Sequence, residues 1–209
     1  MNASKPFNFL EIFIKNGREH ICPYFSLNEN DLEIVKQLYA YFFNNKSMAE
    51  EYQLDLNKGV ILAGPVGCGK TSLFRLFHLF SRNEVLKCKF KTHTCREVSF
   101  EYAISGIQTI LDYSKGSFSA YDKTKPLTKL FDDLGTERSI KHFGTEMNIM
   151  TEILISRYEY FISHNMRTYI TTNLGAKEIG EIYGERVQSR LREMCNFITF
   201  GGEMVDKRK

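Results

Sequence analysis

Apolar residues along this chain fall into two rhythms: short continuous runs, and longer stretches in which they recur every three or four positions. Val60-Ile61-Leu62-Ala63 is a run of the first kind and predicts a buried strand. Behind it, Leu73, Phe74, Leu76, Phe77, Leu79 and Phe80 predict a helix from about Thr71 to Phe80, apolar on most sides and therefore buried. Ahead of it, Leu32, Val35, Leu38, Tyr39 and Phe42 recur at helical spacing after Ser26 and Glu29, which read as a capping box. Lys87 to Thr92 predicts a strand, Val98 to Tyr113 a single helix, and residues 114 to 126 a surface loop. Leu127 to Leu134 is a strand ending in acids, and a long helix runs from Glu146 to about His164. Arg167 to Thr172 is the next strand, a helix starts near Ala176, and Asn196 to Phe200 is a last strand. Residues 1 to 25, with Phe7, Phe9, Leu10, Ile12, Phe13 and Ile14 clustered, read as a short strand or docking arm. Strand and helix alternate, which gives a three-layer α/β domain over residues 26 to 209 with a mainly parallel sheet.

Bulk properties narrow the picture. With 209 residues the chain suits one such domain, and a net charge of +3 is too mild to mark a nucleic-acid binder without a local basic patch. The five cysteines, Cys22, Cys68, Cys88, Cys95 and Cys195, are odd in number and contain no C-x-x-C pair, which fits a reducing cytoplasmic compartment. Cys88, His93 and Cys95 suggest a zinc set only superficially, because their spacing matches no common site and no fourth ligand is evident. Residues 1 to 6 lack the cationic start and apolar core of a signal peptide, and no apolar stretch is long enough to span a membrane.

The chemistry concentrates where the first strand ends. Gly64-Pro65-Val66-Gly67-Cys68-Gly69-Lys70-Thr71, followed by Ser72, fits G-x-x-x-x-G-K-[ST] between a strand and a helix. Glycines let such a loop turn its backbone N–H groups onto phosphate oxygens, and the helix N-terminus adds partial positive charge. Lys70 is placed to reach the outer phosphates and the Thr71 hydroxyl to ligate Mg²⁺. Asp132 and Asp133, at the end of the acidic strand, are placed to hold the metal and to orient the attacking water. Asn173 ends the strand from Arg167, so it should lie near the outermost phosphate, although a helix-capping role would also suit it. Arg186 and Arg190 share one face of the helix that follows.

In this order the parts resemble the AAA+ ATPases of the DnaC helicase-loader and IstB transposition-helper type. The resemblance is carried by Gly64 to Thr71, Phe131-Asp132-Asp133-Leu134-Gly135, Thr171-Thr172-Asn173-Leu174 and Tyr183-Gly184-Glu185-Arg186-Val187-Gln188-Ser189-Arg190-Leu191, and it covers about Ser26 to Arg208. It implies Lys70 and Thr71 as Walker A contacts, Asp132 and Asp133 as Walker B, and Asn173 as sensor 1. It further implies Arg190 as an arginine finger reaching the ATP of a neighbouring subunit and Arg208 at the sensor 2 position; a structural salt bridge is the other role open to Arg190. Implied cofactors are ATP and Mg²⁺. Implied partners are single-stranded DNA, contacted by a segment that includes Lys115, Lys123 and Lys125, a replicative helicase or a transposase, and further copies of the chain assembling on ATP or DNA.

The chain departs from the resemblance in two ways: too little of it precedes Ser26 for a helicase-gripping domain, and too little follows Phe200 for a helical lid domain. The expectation is a cytoplasmic, Mg²⁺-dependent ATPase of DNA replication. An IstB-like transposition helper and a P-loop small-molecule kinase are the alternatives, with an ATP-switched scaffold that barely hydrolyses as a third. Asn45-Lys46 and Asn57-Lys58 precede the phosphate loop and lack the aspartate of a guanine-selecting N-K-x-D step, so ATP is favoured over GTP.

Overall fold

The computed structural model describes residues 8–82, 89–137, 140–142, 145–201 and 207. Strands β1 (Gly59–Ala63), β2 (Phe90–Thr94), β3 (Thr128–Leu134), β6 (Thr168–Thr172) and β7 (Cys195–Thr199) form one parallel sheet in the order β2-β3-β6-β1-β7. The expected α/β architecture with a parallel sheet is therefore present. β1 and β6 are buried along their whole length because helices cover both faces, which is why β1 reads as an unbroken apolar run. On one face, Val60 and Leu62 pack with α1 (Phe9–His20), α2 (Glu29–Phe42) and α4 (Lys70–Arg82). On the other, Ile61 and Ile170 pack with α5 (Cys95–Ser105), α7 (Ile149–His164), α8 (Ala176–Tyr183) and α9 (Glu185–Met194).

Several elements differ from the sequence expectation for identifiable reasons. Residues 9 to 20 are a helix, not a strand: Asn8 caps it, and its apolar residues fall on one side, where Phe9 and Phe13 meet Phe77 and Phe80 of α4. Phe13 is wholly buried, a contribution of about 1.5–3 kcal/mol. The capping box of α2 is built by Asn28 and Asp31 rather than Ser26 and Glu29. The stretch 98–113 is broken at Gly106 (φ 57°), so α5 ends there and α6 (Ile107–Tyr113) starts anew; Thr94 and Glu97 form the capping box that begins α5. β2 lies slightly further along than Lys87 to Thr92, and Lys87 and Cys88 lie outside the described residues. A small antiparallel pair, β4 (Ile140–His142) with β5 (Thr145–Met147), takes up the first residues assigned to the long helix, which Asn148 caps. A short helix α3 (Lys46–Glu51) links α2 to β1.

β3 carries one irregularity that sets up the site. Its pairing with β6 shifts register between Phe131 and Leu134, and Asp133 has φ 58°. Strict alternation would put Phe131 and Leu134 on opposite faces, yet both lie in the same core, because the extra residue is absorbed at the acids.

Candidate active site

Because β6 lies between β1 and β3, three strand ends open onto a single cleft. Its volume is about 910 Å³, within the range of small-molecule sites, and the loop from Val66 to Leu73, Asp133, Thr136, Asn173 and Lys207 line it. The opposite wall comes from Ile21 to Asn28 and Asp31, so the segment after α1 encloses the same space.

Residues 64 to 69 wrap the start of α4, which begins at Lys70. Gly67 and Gly69 have φ of 79° and 103°, conformations that a side chain would strain. Gly64 is required for a different reason: a Cβ there would stand 2.9 Å from Cβ of Phe200 and 3.2 Å from Sγ of Cys68. The Lys70 side chain folds back into the loop. Its Nζ donates to the carbonyls of Gly64 (2.8 Å) and Pro65 (2.9 Å) and to Oδ1 of Asn173 (2.7 Å). All three ammonium protons are thus placed, on oxygens that a phosphate can replace.

The Thr71 and Asp132 side chains meet just as directly. Thr71 Oγ1 donates to Asp132 Oδ1 at 2.8 Å, joining α4 to β3 across 61 positions of sequence. The same carboxylate oxygen accepts from Thr171 Oγ1 at 2.6 Å, and Thr171 in turn accepts from the backbone N–H of Asp133 at 2.8 Å. Thr171 therefore holds the strained Asp133 backbone and orients Asp132 with one hydroxyl. A hydroxyl and a carboxylate side by side form a hard oxygen donor set, which suits Mg²⁺.

The structure brings Lys70, Thr71, Asp132, Asp133 and Asn173 together, with Ser72 and the loop residues around them. It does not bring Arg190 to them. The Arg190 guanidinium lies over the Tyr158 ring, 5.0 Å from its centroid, and among the described residues Nη1 is buried with no hydrogen-bond partner. Arg208 lies outside the described residues, but its neighbour Lys207 donates its N–H to the Gly67 carbonyl and ion-pairs through Nζ with the buried Asp31.

Sequence reasoning missed Thr171, Asp31, Lys207 and Glu137. The Glu137 carboxylate receives the Gly135 N–H (2.9 Å), the Asn148 amide and the Tyr183 hydroxyl, tying the loop after Asp133 to α7 and α8. β6 reads Thr-Tyr-Ile-Thr-Thr, so Thr171 was one buried hydroxyl among several and nothing in the sequence singled it out. Of the Cys88, His93 and Cys95 set, Cys88 lies outside the described residues. Burial pushes up the thiols of Cys68, Cys95 and Cys195, which leaves them protonated at neutral pH. No described helix is long and apolar enough to cross a membrane.

No protein family profile and no curated protein matches the chain. Solved structures do. The DnaC helicase loader superposes with a TM-score of 0.55 at 19% identity, over 86% of this chain and 94% of that one. DnaI gives 0.53 at 19% identity, over 87% of each. Domain III of the Thermotoga maritima replication initiation protein DnaA gives 0.52 at 16% identity, over 85% of this chain and 65% of that one. At such identities the likeness is one of fold. The fold, a parallel α/β sheet with a phosphate-loop step between its first strand and the following helix, is similar to that of the DnaC helicase loader and DnaI.

Proposed function

We propose that the protein is an ATP-binding and ATP-hydrolysing AAA+ protein of DNA replication, of helicase-loader type, which binds single-stranded DNA and works as an assembly beside a replicative helicase. The observation that carries this reading is the Thr71–Asp132 hydrogen bond in the same cleft as the Lys70–Asn173 bond. Residues far apart in sequence converge there in the arrangement that phosphoryl transfer needs.

The loop N–H groups and the α4 N-terminus receive the phosphates, and Lys70 exchanges its carbonyl partners for phosphate oxygens. Thr71 and Asp132 would hold Mg²⁺, which when bound neutralises charge developing on the transferred phosphoryl group. Asp133, held by Thr171, orients the attacking water, and Asn173 positions it against the outermost phosphate. Arg190 lies over Tyr158 and does not line its own cleft, so a finger role requires a second copy; stabilising transition-state charge in this way is worth about 10³ to 10⁵ in rate. Arg208 would add a cation from the tail.

Steady-state ATPase activity across protein concentration, with and without single-stranded DNA, tests the reading. Turnover per subunit should rise with concentration and with DNA. Turnover that is flat in both would refute the shared site and point to the kinase alternative.

A further inference from the structure

At the pole of the sheet opposite the cleft, residues 117 to 127 fold into a small hairpin. Phe118 and Pro126 bridge, Ser119 N–H donates to the Lys125 carbonyl, and Leu127 N–H donates to the Ser117 carbonyl. Tyr121 at the tip is fully exposed. Its neighbours are small or charged: Asp122 is taken up by Lys125 at 3.0 Å, which leaves the positive charge of Lys123 uncompensated within the hairpin. The base of the hairpin is fixed from beneath. Arg157, wholly buried and without a carboxylate partner among the described residues, donates to Oγ of Ser117 on one stem and to the carbonyl of Leu127 on the other.

The strand leaving the hairpin adds a second feature. Lys129 of β3 stands beside Lys91 of edge strand β2 in parallel register, and neither forms an ion pair among the described residues. Burial, then Arg157 and Lys91, pull the Lys129 amine down to about 8. Asp112 and Glu101 only partly oppose this. The Lys129 ammonium already donates to the Asp112 carbonyl (3.3 Å) and lies 4.1 Å from the Tyr113 ring centroid, so the like charge beside it on exposed Lys91 is the one that a bound anion would relieve.

We propose that the hairpin and the Lys91–Lys129 row form a surface for a single strand of nucleic acid, with an unpaired base stacked on Tyr121 and backbone phosphates on the lysines. The inference rests on the reading that this protein binds single-stranded DNA, and it states where. An aromatic platform combined with cations is how single strands are held, and an unpaired base is needed because a paired one does not offer its face. A protein-binding anchor would be ringed by apolar side chains that exclude water, and Tyr121 has no such ring. The surface lies about 13 Å or more along β3 from Asp133, so it is separate from the nucleotide cleft.

The test uses the full chain and a fluorescein-labelled oligothymidylate, with anisotropy read over a salt series and binding of a fluorescent ATP analogue followed in parallel. Tyr121→Ala should weaken oligonucleotide binding by about 5- to 150-fold, while Tyr121→Phe stays within about twofold of wild type. Lys91→Gln should lower the slope of log affinity against log salt by about 0.7, the value of one phosphate contact to a single strand. None of the three should change binding of the ATP analogue. If wild type binds the oligonucleotide and Tyr121→Ala and Lys91→Gln bind it equally well, the surface is misassigned and the DNA-binding reading survives. If wild type does not bind it at all, both fail. Loss of a co-purifying protein on Tyr121→Ala, with oligonucleotide affinity unchanged, would overturn the proposal in favour of a protein-docking tip.

Discussion

Replacing Arg157 by methionine tests the energetic reading of the lower pole. The guanidinium donates through Nε to Thr168 Oγ1 (2.8 Å), through Nη1 to the Tyr113 carbonyl (2.8 Å) and Ser117 Oγ (3.4 Å), and through Nη2 to the carbonyls of Arg167 (2.7 Å) and Leu127 (3.3 Å). Burial pulls its pKa down to about 9, so it remains charged at neutral pH. Methionine keeps much of the volume and removes every donor. The two hydroxyls can rotate to other partners, but the carbonyls cannot. Three short bonds to a charged donor, at about 1.5–3 kcal/mol each, suggest a gross loss of about 5–9 kcal/mol. Relief from burying the cation returns several kcal/mol, so a net cost of about 3–5 kcal/mol is expected. In a chain of this size that corresponds to a fall in Tm of about 6–20 °C. Arg157→Lys keeps the charge but not the fork, and should fall between the two. Thermal unfolding followed by circular dichroism gives the magnitude, and hydrogen exchange at the Ser119, Lys125 and Leu127 amides shows where protection is lost. A methionine variant within about 0.5 kcal/mol of wild type, with those amides still protected, would refute the reasoning.

Other outcomes can be checked alongside it. Asp132→Ala should abolish Mg²⁺-dependent turnover while leaving the circular dichroism spectrum unchanged; unaltered turnover would remove the metal assignment. Arg190→Ala should bind a fluorescent ATP analogue normally yet lose turnover, and mixing it with Asp133→Asn should restore part of that turnover because each variant supplies what the other lacks. No recovery in the mixture would count against a finger acting between copies. Burial, followed by Lys129 and Lys91, pushes His93 down to about 4 from an ordinary 6.5. Above pH 6.5 both states carry a neutral ring; as pH falls towards 4 the unfolded chain takes up a proton that the folded chain resists, so stability should drop through that window. His93→Gln should flatten that part of the stability–pH curve, measured by urea unfolding.

What could be read from sequence followed from how local its cause was. The phosphate loop is dictated by glycines and a lysine within a few positions, so Gly64 to Thr71 could be placed without any knowledge of the rest of the chain. Asp132, Asp133 and Asn173 could be placed because parallel strands end on a common side. Arg157 and Thr171 were not legible as devices, since their partners lie 10 to 44 and 38 to 39 positions away. The first helix was misread because its dense apolar cluster hides a helical period, and its close seat under Phe25 depends on Gly17, where a Cβ would fall 2.1 Å from the ring. The break at Gly106 shows the opposite error: Val98 to Tyr113 reads as a single helix, whereas the positive φ of Gly106 ends one helix and begins another.

The order of the strands also governs when the phosphate loop can work. β1 is made early, yet its two neighbours in the sheet are β6 and β7, more than a hundred residues later. Phe200, just past β7, packs beneath Gly64 and donates its N–H to the Ala63 carbonyl. During synthesis the loop therefore emerges well before its floor exists, and pairings at such sequence separation form slowly. A ribosome-bound chain halted before Cys195 should fail to retain a fluorescent ATP analogue that the finished chain holds. Nucleotide capture would then report that β7 has been made and has docked beside β1.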